Sequence, residues 1–450
     1  MNKKHHIFIL LAFFLALFLI LNFIDPVLLW DENVYLGNAR SHIAQSNFTE
    51  DFRFPLVEYI IAFFWLFTGE SIFIAKLIMI FFTLATIYVF YLIAKENFEH
   101  KHALFITALF SICPLMIEWG SKIYTEIPAL FFLILSFYLL MKQKSRFIAL
   151  FVIIAGILSG LSFMAKFPNA LFGLAAAVFF IFFKEYRKLI YFSTGSIIAL
   201  LPWLIYNFIT YKNPLWDLVM QMSVIAQYTV NEPIMQQIAN FFVVMAALSI
   251  FLPFGIHPLI KKRKENWIMI FYTIIFFAYY LFFVRLKFSR YYLADLAFLF
   301  ILCYAGFLFL MEKIKDVQYR RFFYAAVIVF AILTAILFGF DKISSRGSCE
   351  KDGAIIQSAD YLKEFAPKDR YVISNFWPWF GYYGNFRIQS IWSEDIDALI
   401  DQFQPSYFAY NNLVGVPFNR TTLDENNRLK LEKHIDGECS QEAYIYRVLN

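Results

Sequence analysis

The chain has 450 residues, of which 60% are hydrophobic, 21% aromatic and only 16% charged. A soluble domain carries about 25% charged residues, so this much apolar surface needs lipid to cover it, and a water-soluble globular protein is excluded. The formal charge of +5 is scattered in short clusters between apolar runs, so no nucleic acid is expected as a partner.

MNKKHH opens the chain and leads into an apolar run predicted to be a first spanning helix over 7–24. No small-residue cleavage site follows, so the helix is read as retained rather than as a signal peptide. LLWDENVYLGNAR comes next, with two adjacent carboxylates, Asp31 and Glu32, just past the helix end. They open a first loop over about 25–71. Inside it, residues 56–68 are too short to span and carry Glu58, so they are predicted to lie on or dip into the membrane face. Further spans are predicted near 72–94, 103–118, 126–141, 147–165, 168–183, 189–210, 237–258, 267–284, 291–311 and 322–340, about 11 transmembrane helices in all.

The N-terminus and every second loop are basic, holding 18 Lys and Arg against nine on the opposite side, the C-terminal tail left aside. Positive charge stays in the cytoplasm, which puts the N-terminus inside and Asp31, Glu32 and the tail outside. The expected class is a mostly α, polytopic membrane protein over 1–343, followed over 344–450 by a small extracytoplasmic α/β domain. In that tail SADYLKEFAP and IDALIDQF read as helices, and RYVISNF and SYFAYNN as strands. Cys349 and Cys439 both fall there; they are either unrelated thiols or, in an oxidising compartment, a disulfide. The four cysteines form no CxxC or Cys/His cluster, and no nucleotide-binding GxGxxG or GxxxxGK[ST] occurs.

Acids at a membrane boundary are often merely solvated. Glu126, however, lies at the same outer boundary, at the start of the helix over 126–141, with Thr125 as cap and Pro128 in the first turn. On that side also lie Arg53, Lys122, Lys166, Lys287 and Arg290. Snorkelling to headgroups accounts for such cations one by one; a ring of them suits an anionic group, and Lys and Arg suit a phosphate. Asp295, about a turn into its helix, is costly unless paired, which leaves it the role of neutralising Arg290 or Lys287. Carboxylates beside phosphate-binding cations point to transfer from a lipid phosphate, one acid taking the acceptor's proton while cations stabilise the leaving phosphate.

The stretches WDENVYLGNAR, FRFPLVEYIIAFFWLFTGE, SICPLMIEWGSKIYTEIPALFFLILSFYLL, GLSFMAKFPNALFGL, ALLPWLIYNFITYKNPLW and KFSRYYLADLAFL follow one another over about residues 20–310. As an ordered set they resemble the integral-membrane GT-C glycosyltransferases, in particular the dolichyl-phosphate-mannose–protein mannosyltransferase and aminoarabinose (lipid A) transferase group. The resemblance implies a GT-C fold, a polyprenyl-phosphate sugar donor, a protein, lipid or glycan acceptor, and a plasma-membrane or cell-envelope location. It implies catalytic roles for Asp31, with Glu32 beside it, and for Glu126, and lipid-phosphate binding by Arg53, Lys166, Lys287 and Arg290. Some relatives carry a metal-binding acid just before the Arg53 position. Phe52 stands there, so no metal ligand is carried over and a divalent metal stays an open question. Asp295 stands where the family pattern often has Pro.

A transporter or flippase is the rival from another class, but its ionisable residues belong near mid-membrane at broken helices, whereas these cluster at outer helix ends. A sensor domain on a membrane anchor would not need so many helices. The charge pattern makes one direct prediction. A C-terminal reporter active only outside the cytoplasm will be active, and one active only in the cytoplasm will be silent; the reverse result would overturn the topology.

Overall fold

A computed structural model describes residues 5–24, 28–44, 46–142, 147–227, 246–284, 288–340, 353–391, 395–412, 420–437 and 441–449. Lys287, Cys349 and Cys439 lie outside the described residues. The chain divides into two compact units: Met1–Asn22, Phe52–Val57 and Lys76–Lys342 form one, and Phe23–Asp51, Glu58–Ala75 and Ile343–Asn450 the other. The first loop thus joins the C-terminal residues by contact, although its sequence position groups it with the helices.

The first unit is helical. Helix α1 (His5–Ile24) buries Ile7, Phe14, Phe18 and Leu21 while exposing Phe8, Phe13 and Ile20, the outward greasiness expected of a helix facing lipid. In the second unit lie α2 (Trp30–Ile43) and most of α3 (Leu56–Thr68). The first unit resumes with α4 (Ile72–Asn97), α5 (His100–Ser111), α6 (Pro114–Trp119), α7 (Glu126–Met141), α8 (Ile148–Ala165), α9 (Ala170–Phe182), α10 (Tyr186–Tyr211) and α11 (Trp216–Gln227). Helices Leu252–Lys262, Asn266–Phe282, Leu296–Met311 and Val317–Thr334 follow. Among the described residues, five helices are long and apolar enough to cross a membrane: α1, α4, α8, α10 and the last, taken over Val317–Leu337. The chain is a polytopic membrane protein.

Helical elements fall on each stretch expected to span, with informative differences. The expected helix over 103–118 is two, because Pro114 lacks the N–H a continuous helix needs and instead opens α6. Helix α11 was not expected. Of the stretch 237–258, the described part is a 3₁₀ turn, Ala246–Phe251, running into Leu252–Lys262. The stretch over 291–311 begins as a 3₁₀ turn, Ser289–Ala294, and becomes α-helical at Leu296.

Helices α8 and α10 meet through glycines. A Cβ at Gly156 would collide with the Phe192 carbonyl, and one at Gly195 with the Ile153 carbonyl. In lipid the hydrophobic effect does not press helices together, so close backbone approach over small residues supplies the packing. Helix α7 is tied to α8 by hydroxyls: Ser162 donates to the Ala129 carbonyl and Ser136 to the Ala155 carbonyl, each at 2.7 Å.

In the second unit the C-terminal residues form a five-stranded sheet of order β2-β1-β3-β5-β4, with β1 Tyr371–Ser374, β2 Arg387–Ser390, β3 Tyr407–Asn411, β4 Leu429–Asp436 and β5 Glu442–Val448. β1 pairs parallel with β2 and β3; β3 and β4 pair antiparallel with β5. Apolar clusters lie on both faces: Ala359, Leu362, Val372, Phe376 and Ile445 in one, Ile373, Leu399, Ile400, Phe408 and Tyr446 in the other. Helices Ala354–Phe365 and Ile396–Phe403 supply part of each, so the small α/β domain is present, its two anticipated helices and strands β1 and β3 where expected.

Gly156→Val is expected to part α8 from α10, since backbone rather than a movable side chain stands in the way. Overpacking of this kind typically costs about 1–3 kcal/mol. Detergent-solubilised variant should unfold several degrees lower than wild type, and an unchanged midpoint would refute the packing argument.

Candidate active site

In the helical unit, three sequence-predicted residues come together. Glu126 is the first residue of α7, where the helix's positive end favours a carboxylate. Lys166 caps the C-terminal end of α8, its backbone N–H bonded to the Ser162 carbonyl at 3.0 Å. The Ser162 and Ser136 bridges fix α7 against α8, and Asn169 donates to the Ser162 hydroxyl at 2.8 Å, so the two ends arrive side by side. The Lys166 ammonium donates to Glu126 Oε1. Arg290, from the 3₁₀ turn Ser289–Ala294, places its Nε 3.6 Å from the same oxygen. That turn is held by Tyr280, whose hydroxyl donates to the Phe288 carbonyl, and by Tyr272, which donates to the Ala294 carbonyl, each at 3.2 Å.

Aromatic rings enclose the cations. The Arg290 guanidinium lies 4.9 Å from the centre of the Tyr124 ring and 5.6 Å from that of Trp119; the Lys166 ammonium lies 4.8 Å over Tyr291. Quadrupole attraction lets these cations stay partly withdrawn from water. Trp119, Tyr124 and Tyr291 were not singled out beforehand, although the interleaving of rings and cations in WGSKIY and SRYY is a visible signal.

Two expectations are corrected. Thr125 does stand at the N-cap position of α7, but its hydroxyl makes no capping bond; it lies 3.4 Å from Glu126 Oε2. Asp295, fully buried, accepts from the Thr273 hydroxyl at 3.0 Å, while Arg290 pairs with Glu126, so neutralising Arg290 is not its role. Lys122 is buried just before Tyr124. Arg53 is half-buried in the turn before α3, its guanidinium 5.7 Å from the centre of the Phe52 ring.

In the second unit, Asp31 and Glu32 are not in an open loop after the membrane helix. They are the second and third residues of α2, in its first turn, again at a positive helix end. Glu32 is fully buried, and its Oε2 accepts from the Leu29 N–H at 2.7 Å. This turns its carboxylate back onto the chain just before the helix, and Asp31 stays half-buried. Burial, together with the Glu32 charge, pushes the Tyr383 phenol up to about 12, so it stays protonated at neutral pH. Farther along α2, Asn38 donates to the Glu50 carbonyl at 2.9 Å and to Glu58 Oε1 at 2.7 Å. Among the described residues one His/Asp/Glu group has ligand atoms within 4.8 Å of one another: His434, Asp436 and Glu442, at the β4–β5 edge and largely exposed.

These geometries can be set beside known proteins. Residues 53–206, about a third of the chain, match the sequence model of the dolichyl-phosphate-mannose-protein mannosyltransferase family. No curated protein matches the chain by sequence. Among solved structures, ArnT from Cupriavidus metallidurans in the apo state is similar at 11% identity and a TM-score of 0.69, covering 96% of this chain and 97% of that one. ArnT bound to undecaprenyl phosphate gives 12%, 0.70 and the same coverage. The archaeal oligosaccharyltransferase AglB from Archaeoglobus fulgidus, in complex with an inhibitory peptide and a dolichol-phosphate, gives 13% and 0.60, covering 91% and 70%. The fold is that of the GT-C membrane glycosyltransferases. Within it, the chain carries the mannosyltransferase sequence pattern over residues 53–206.

Glu126→Gln removes the carboxylate that the two cations share. Lys166 and Arg290 side chains are still 15% and 18% exposed, so the loss should be about 1–3 kcal/mol, short of the 3–5 typical of a deeply buried pair. Thermal unfolding in detergent measures it. An unchanged unfolding midpoint would remove Glu126 from that role.

Proposed function

We propose that the protein is a glycosyltransferase that moves a sugar from a polyprenyl-phosphate-linked donor to a protein, lipid or glycan acceptor on the outer face of the plasma membrane. The observation that carries this reading is the Glu126–Lys166–Arg290 cluster at helix ends of a GT-C fold. Lys166 and Arg290 gather at one carboxylate, and Lys and Arg side chains brought together in this way suit a phosphate. Structures of the fold solved with undecaprenyl phosphate and with a dolichol-phosphate support the same donor class.

In the proposed reaction the acceptor hydroxyl attacks the anomeric carbon, the bond from that carbon to the phosphate oxygen breaks, and polyprenyl phosphate departs. Asp31 takes the hydroxyl proton. Glu32, held by the Leu29 N–H, fixes the turn that presents Asp31. Lys166 and Arg290, with Arg53 and Lys287, offset the charge that builds on the leaving phosphate. Glu126 keeps Lys166 and Arg290 in place.

Asp31→Asn keeps the size of the side chain but cannot take a proton. General-base help is worth about 10²- to 10⁴-fold, so product should fall by that order while the protein still inserts. The measurement is mass spectrometry of surface glycans and glycolipids from cells lacking the gene, complemented with wild type or variant. A sugar missing without the gene, restored by wild type and not by Asp31→Asn, supports the reading and names donor and acceptor. No change in any glycan on deletion would overturn it.

A further inference from the structure

Helix α2 presents Asp31, yet little in its own sequence fixes where it lies. It has 14 residues, a length at which an isolated helix is marginal in water, and no apolar stripe, yet residues 32–39 are all buried. Its position therefore comes from what packs on it, and much of that packing is the C-terminal α/β domain.

At its start, Trp30, the residue before Asp31, meets three rings edge-on: Phe376 at 5.8 Å, Trp377 at 5.6 Å and Trp379 at 5.5 Å between centroids. At its middle, the Phe48 ring is wedged between Gly37 of α2 and Gly381 of the C-terminal domain. A Cβ on either glycine would collide with that ring. Toward its end, Arg40 donates from Nε to Glu70 at 2.8 Å and from a terminal nitrogen to the Tyr382 carbonyl at 2.6 Å, its guanidinium 4.6 Å over the Tyr382 ring. Beyond the helix, Asn385 Oδ1 accepts from the Ser46 hydroxyl and the Asn47 N–H, each at 3.0 Å. Asn385 itself takes a left-handed backbone, φ +53°, which asparagine tolerates better than most residues.

We propose that the C-terminal α/β domain is a clamp that sets the pose of Asp31, with Trp30 and Phe48 as the positioning residues through which it acts. The inference rests on the assignment of Asp31 as base. It makes the domain an obligatory part of catalysis, not an independent module. A displacement of about 1 Å in a catalytic group can cost 10²-fold in rate, which gives the clamp its leverage.

The test uses full-length protein and substitutions distant in sequence from Asp31. Trp379→Ala should loosen the shelf under Trp30, and Trp379→Phe should largely restore it. Gly381→Ala should drive a methyl into the Phe48 ring, and adding Phe48→Leu should relieve it. Hydrogen exchange reads α2 directly: in Trp379→Ala and Gly381→Ala, amide exchange over 30–43 should rise roughly tenfold or more with exchange over 126–141 unchanged, as for a local opening. Glycan product in complemented cells should fall by roughly 10²-fold in the same variants and recover in Trp379→Phe and in the double variant. Unchanged α2 exchange, or full product despite a loosened α2, would overturn the clamp. If Asp31→Asn keeps full product while α2 still loosens, the clamp stands as structure and the base assignment fails instead.

Discussion

The ion cluster of Glu126, Lys166 and Arg290 is the constraint around which the helical unit is arranged. Charges at a membrane boundary are tolerated when paired and penalised when stranded, so three of them in one place demand fixed helix ends to carry them. The glycine contacts of α8 with α10, the serine bridges of α7 with α8 and the tyrosine anchors of the 3₁₀ turn are all devices for bringing those ends into register. The rings of Tyr124, Trp119 and Tyr291 then hold the cations without neutralising them.

Much of this was legible in the sequence because lipid simplifies the reading. Long apolar runs announced the helices, and charges interrupting them announced the site. Glu126, Lys166 and Arg290 were visible because each is out of place in a greasy chain. What stayed hidden was whatever depended on tertiary partners. Helix α2 has no apolar period, and its burial comes from tertiary partners, the C-terminal domain among them, so WDENVYLGNAR read as a loop. Strand β4, LKLEKHID, buries only its ends, Leu429 and Ile435, and its exposed charges suit an edge strand that must not pair with another chain. β2 is four residues long, too short to show a period. The pairing of Asp295 with Arg290 is corrected for a related reason: sequence spacing put them near each other, but the 3₁₀ turn sends Arg290 to Glu126, while Asp295 accepts from Thr273.

The two groups of acids, alike in sequence, are unlike in chemistry. Glu126 is engaged by two cations and acts as their counter-ion. Glu32 is engaged by a backbone amide and acts as a fastening for its own helix turn. Asp31 is half-buried in the same first turn, and it is the acid to which the proposed reaction gives the proton. The proposed transfer asks for two roles, one acid holding the cations and another taking a proton. In the proposed reaction, offsetting the charge of a phosphate and taking a hydroxyl proton fall to side chains on different elements.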